Sequence, residues 1–145
     1  MRTAVWAAQD GLLAALRRQP WPEPLTPVLG MPTKLDRDQV WIAGEIEEWD
    51  RTHVVSGLGQ ADETFALRVY VLLTSIGTYE RGRERVGKLA GLVEAAMADH
   101  TWDGTVAFAR IESQELQQSV TDDGRRTQLL LGFLIRVDAW LPRVT

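Results

Sequence analysis

The chain contains no cysteine in 145 residues. Disulfide frameworks, thiolate metal sites and cysteine nucleophiles are therefore excluded, and a reducing compartment, or a particle assembled in one, suits the chain. Long apolar runs are also missing: the longest, Leu129 to Ile135, falls far short of the roughly 20 residues that span a bilayer and has the length of a buried strand. An excess of positive charge is lacking too, with 16 Lys and Arg against 20 Asp and Glu, a net charge of −4 and a pI near 5.2. Wrapping nucleic acid needs a clustered basic surface to displace phosphate counterions, so that class of function is disfavoured. Arg2 is followed by a short apolar patch that Gln9 and Asp10 interrupt before a signal-peptide core can form. We read this segment as part of the mature protein.

Chemistry-bearing motifs are equally sparse. The two histidines, His53 and His100, do not stand in a spacing such as HExxH that would put two ligands on one helical face. Acid pairs occur at Glu47-Glu48, Asp62-Glu63 and Asp122-Asp123. Neighbouring carboxylates point apart on a strand or sit at a solvated turn, so structural or solubilising roles are expected. Gly57-Leu58-Gly59 and Gly77 belong to no phosphate-cradling loop, and Ser56, Ser75, Ser113 and Ser119 lack the GxSxG elbow. Catalytic, cofactor-binding and metal-ligating residues are accordingly assigned to none of these positions.

What is present is pattern. Val5, Trp6, Gln9, Leu12, Leu13 and Leu16 fall close to one helical stripe, with Thr3 placed to cap it and Arg17 and Arg18 at its C-terminal end. Five of the six prolines (Pro20, Pro22, Pro24, Pro27 and Pro32) follow within a stiff, irregular connector spanning 19–38. Gln39 to Val55 reads as two short strands and a turn, a hairpin, and Ser56 to Asp62 as a loop. From Thr64 to Thr74 the odd positions Phe65, Leu67, Val69, Val71 and Leu73 are apolar, which predicts a strand with one buried face. Val86, Leu89, Ala90, Val93 and Met97 then mark a second helix ending near Asp99 or His100. Thr105 to about Gln117 reads as a strand in which Val106, Phe108 and Leu116 share a parity. Asp122-Asp123-Gly124 signals a turn, and alternating Leu129 to Leu141 a long final strand stopped by Pro142. The expected fold is one α+β domain over 1–145: a mixed, mainly antiparallel sheet packed against two helices, in the order helix, hairpin, strand, helix, strand, strand. A chain of this length buries about 68–70% of its unfolded surface.

Six tryptophans are spread over every element, unlike a stacking platform for bases or sugars. Most should anchor the core. Trp21, in the proline-rich connector, and Trp49, at a hairpin tip, are divided between internal packing and a protein interface. Arg81, Arg83, Arg85 and Lys88 read as a solvated helix face. Arg125 and Arg126, beside Asp122 and Asp123, read as a charged β tip that discourages edge pairing or docks on a neighbouring copy.

With that element order in place, the chain resembles the tail terminator, or tail completion, proteins of long-tailed bacteriophages and prophages. The residues carrying the resemblance are Glu63-Thr64-Phe65-Ala66-Leu67-Arg68-Val69-Tyr70-Val71, the helix Val86-Gly87-Lys88-Leu89-Ala90-Gly91-Leu92-Val93, and Thr127-Gln128-Leu129-Leu130-Leu131-Gly132-Phe133-Leu134-Ile135-Arg136-Val137. It covers nearly the whole chain as element order and hydrophobicity, without a diagnostic motif. The resemblance implies a homo-oligomer, a hexameric ring of lambda-type subunits. Such a ring caps the tail tube, stops its polymerisation and presents a surface to head-completion or connector proteins. It implies no catalysis and no cofactor, assembly in the bacterial host cytoplasm, and residence in the virion tail, where DNA passes through without sequence-specific binding. Interface candidates are Trp49 and Arg51 within the Trp49–Gln60 segment, and Asp122, Asp123, Arg125 and Arg126 within the Gln117–Arg126 tip. A neck or head–tail connector component, or a small ligand-binding α+β domain with a pocket between sheet and helix, are the alternative functions.

Overall fold

The computed structural model describes residues 3–51, 62–74, 76–120, 124 and 126–141. Among them, two helices pack on a six-stranded, mostly antiparallel sheet, a single-domain α+β fold. The order is α1 (Val5–Arg17), β1 (Val28–Leu29), β2 (Gln39–Ile42), β3 (Glu47–Asp50), β4 (Glu63–Leu73), α2 (Tyr79–Ala96), β5 (Phe108–Val120) and β6 (Thr127–Ala139). Across the sheet the strands run β1-β2-β4-β6-β5, with β3 also against β4. β1 is the one parallel neighbour, through Val28 opposite Trp41.

The period-2 pattern of β4 places Phe65, Leu67, Val69, Val71 and Leu73 in the core without exposure. On β6 the same holds for Leu129, Phe133, Ile135, Val137 and Ala139. Their register is direct, Phe65 opposite Val137 and Leu73 opposite Leu129, so the two strands form a continuous apolar surface. Onto it α1 lays Val5, Ala8, Leu12, Ala15 and Leu16, and α2 lays Val86, Leu89, Val93 and Met97. Gly82 lets α2 approach closely: a Cβ there would lie 2.7 Å from Ile76 Cδ1 and 3.0 Å from Leu129 Cδ1. The helix starts at Thr78, whose hydroxyl accepts from the Arg81 N–H, and ends at Ala96, three to four residues earlier than the apolar stripe suggested. The connector rejoins the fold where Arg17 Nε donates to the Pro27 carbonyl (2.9 Å) and Leu25 enters the core.

Two local expectations are corrected. The strands within Gln39–Val55 do not form a hairpin with each other; β2 and β3 lie one after the other along the same side of β4, Trp41 opposite Tyr70 and Glu47 opposite Ala66. Glu48, at φ 49, breaks the register between Glu47 and Asp50, which ends any alternation there. Phe108 and Leu116 do not share a face. A bulge at Glu112, between Ile111 opposite Ile135 and Ser113 opposite Leu134, swaps the parity of β5 midway.

Candidate assembly surfaces

The nominated segments lie at opposite ends of the sheet. Arg51 and Asp62 flank residues 52–61 at the end where Glu63 faces Ala139. The β5–β6 tip lies at the other, beyond Leu73 opposite Leu129 and Val120 opposite Thr127. Ten strand steps at about 3.4 Å each separate the two ends by ~34 Å. Asp122, Asp123 and Arg125 fall outside the described residues, as do His53 and most of the Trp49–Gln60 segment. Gly124 turns the tip at φ 70, and Arg126 is exposed beside it.

At the other end, Trp49 and Arg51 converge on Glu63, one of the acid-pair residues expected to be structural or solubilising. Glu63 is 0% exposed. Its carboxylate accepts from the Thr3 hydroxyl (2.8 Å), the Ala4 backbone N–H (2.7 Å) and the Trp49 indole N–H (2.7 Å), and pairs with Arg51 Nε at 3.2 Å. Helix α1 has no acidic residue in its first turn and no side-chain cap from Ala4. Glu63, sixty positions from Thr3 in the chain, supplies the anion that the helix N-terminus attracts. A signal was available: Glu63 has the parity of Phe65 to Leu73, so the strand period aims it into the core.

Trp41 and Trp102 are buried in the fold. Trp21 donates its indole N–H to the Leu16 carbonyl at 2.7 Å, and both it and Trp49 pack partly against the core. Trp6 and Trp140, 54% and 48% exposed, are the tryptophans that face outward.

On the sheet face away from the helices, charges run in a ladder. Glu47 pairs with Arg68, whose Nη2 donates at 3.1 Å. Arg136 bridges Glu48 and, at 3.0 Å, Glu112. The hydrogen bond it donates to Glu47 raises Arg68 above its ordinary value. Burial works against the charge on Arg136, but its bonds to Glu48 and Glu112 outweigh that and raise it as well. These partnerships fix Glu47 and Glu48 as structural carboxylates. Beside the ladder, a groove of about 390 Å³ is floored by Trp41, Tyr70 and Leu72 and rimmed by Met31 and Leu35. Tyr70 crosses over Gly132, where a Cβ would come within 3.1 Å of its ring.

His100 has a structural role. Its Nδ1 meets the Ala109 carbonyl at 2.8 Å, and because a carbonyl only accepts, that nitrogen carries the proton. The ring stacks on Phe108 with centroids 4.8 Å apart. Of the basic helix face, Arg85 pairs with Asp38, tying α2 to the end of the connector.

No known family model matches the chain, and no curated protein matches it either.

Proposed function

We propose that the chain is a structural subunit of a phage or phage-derived tail, closing the tube end as a ring by contact and not by catalysis, and offering its far side to head-joining proteins. The observation that supports this reading is that the strands leading into the two nominated segments do so at opposite ends of one antiparallel sheet. A terminator needs one end for the tube and another for the head side, and a sheet of ~34 Å provides that spacing. Head-to-tail contacts of such subunits generate a closed ring when the rotation closes, and a hexamer is the form the resemblance implies.

The test is polymerisation of the cognate tail-tube protein with and without this chain, with tube lengths measured by negative-stain microscopy. Added protein should cap tubes at defined lengths with a ring at one end, and alanine at Asp123, Arg125 and Arg126 should abolish capping. Unchanged tube lengths at saturating protein would overturn the reading. The groove over Trp41 and Tyr70 favours a second reading, a binding domain for a small apolar ligand, although its site lies on the face away from the helices. A ligand that raises the melting temperature of a strictly monomeric protein would favour that reading.

A further inference from the structure

The two edges of the sheet are finished differently. On one side β1 has two residues and β3 four, with a register break at Glu48. Short, broken strands of this kind resist pairing with another chain. On the other side β5 has thirteen residues and, among the described residues, a strand partner only in β6. Its beginning is covered: the Ala109 N–H donates to the His100 carbonyl at 2.6 Å, and the Ala109 carbonyl accepts from the His100 ring. The bulge at Glu112 follows. Beyond it, Ser113 to Val120 is exposed throughout and carries a single charge, Glu115, with no Lys, Arg or Pro to guard the edge.

We propose that this edge pairs with the same edge of a second copy, antiparallel across a two-fold axis beside Leu116. The axis is fixed by geometry and side-chain chemistry. Directly opposed residues of an antiparallel pair share a face, so a two-fold perpendicular to the sheet must pass beside a residue and never between two. An axis at Glu115 sets two carboxylates against each other, which is unfavourable. An axis at Gln117 sets Leu116 against an amide. At Leu116 the side chain, 41% exposed in the single chain, meets its own copy. Gln114 then faces Gln118 of the second copy, Ser113 faces Ser119, and Glu115 faces Gln117. Glu115 already accepts from Gln117 of its own strand at 3.1 Å and retains lone pairs for the second amide. No like charges are opposed between Ser113 and Ser119, and the bulge and the tip set the limits of the paired stretch. This contact is isologous, so it is separate from the head-to-tail contacts of a ring and does not rest on the capping role.

The absence of cysteine makes the register directly measurable. Single variants Leu116→Cys, Gln114→Cys and Gln118→Cys are treated with a short bis-maleimide and resolved on denaturing gels. Leu116→Cys should link to itself. Gln114→Cys and Gln118→Cys should link poorly alone and efficiently when mixed. Light scattering of the native protein should show a dimer that Leu116→Lys converts to monomer, with an unchanged circular dichroism spectrum. A native monomer at every concentration, or equal self-linking of all three variants, overturns the proposal. So does a native oligomer whose mass Leu116→Lys leaves intact. If that oligomer is a ring that caps tubes, the capping role stands while the edge contact falls. Loss of capping together with a persistent β5 dimer gives the reverse.

Discussion

Replacing Glu63 with alanine removes the acceptor for four donors drawn from two other parts of the chain, Thr3–Ala4 and Trp49–Arg51. Thr3 is 6% exposed and Ala4 4%, so water cannot readily replace the carboxylate at the Thr3 hydroxyl or the Ala4 N–H. Each orphaned buried donor costs about 1–3 kcal/mol. Arg51, with 36% of its side chain exposed, rehydrates more easily and adds little. The half-buried Trp49 indole lies between these cases. The expected loss for Glu63→Ala is about 3–5 kcal/mol, the range for breaking a buried ion network by removing one partner. A domain stable by about 5–15 kcal/mol loses much of its margin. Glu63→Gln should cost less, about 2–3 kcal/mol, because the amide oxygen still accepts while its NH2 confronts the same donors. Urea unfolding followed by far-ultraviolet circular dichroism measures both, and a Thr3→Ala, Glu63→Ala cycle isolates their coupling. A Glu63→Ala loss below about 1 kcal/mol with an unchanged m-value would refute the argument that buried donors depend on this carboxylate.

The remaining predictions concern α2, the turn after it and the charge ladder. Gly82→Ala should destabilise by about 1–3 kcal/mol through overlap with Ile76, whereas Gly87→Ala and Gly91→Ala, with open space at the Cβ, should stabilise by about 0.8–1 kcal/mol each in thermal melts. Asp99 accepts from the Asp103 and Thr101 N–H groups and the Thr101 hydroxyl, which hold its carboxyl below the ordinary value. Its stabilisation is therefore complete above the unfolded carboxylate value, about pH 4, and is lost as pH falls through the lower folded value. The melting-temperature gap between native protein and Asp99→Asn should be flat near neutrality and close only in that acid range. Arg136→Met should cost at most about 1 kcal/mol at low salt and less at high salt, since its partners are partly exposed.

The strands β4 and β6 and the helix α2 were legible because a single period runs unbroken through each. The β2–β3 region was not: Trp41, Ile42 and Trp49 announce strands, but their partner, β4, is distant in sequence and takes both on one side. In β5 one extra residue at Glu112 inverted every later side chain, which no count of apolar positions reveals. For Glu63 the sequence supports a structural or solubilising role without choosing between them, because its partners, Thr3, Ala4, Trp49 and Arg51, are brought to it only by the tertiary fold. Its parity with Phe65 was the available sign. Of the interface candidates, Trp49 and Arg51 were recognisable as unusual, but their bond to a buried carboxylate was not.

The strand order has a consequence for synthesis. β6, the last strand in the sequence, lies between β4 and β5, which do not pair with each other. Until β6 leaves the ribosome, β4 lacks the strand neighbour on one of its edges, and β5 lacks its strand partner among the described residues. β5 therefore joins the sheet only after β6 has formed, and a chain cut before Thr127 keeps β4 beside β2 and β3 but leaves β5 outside the sheet.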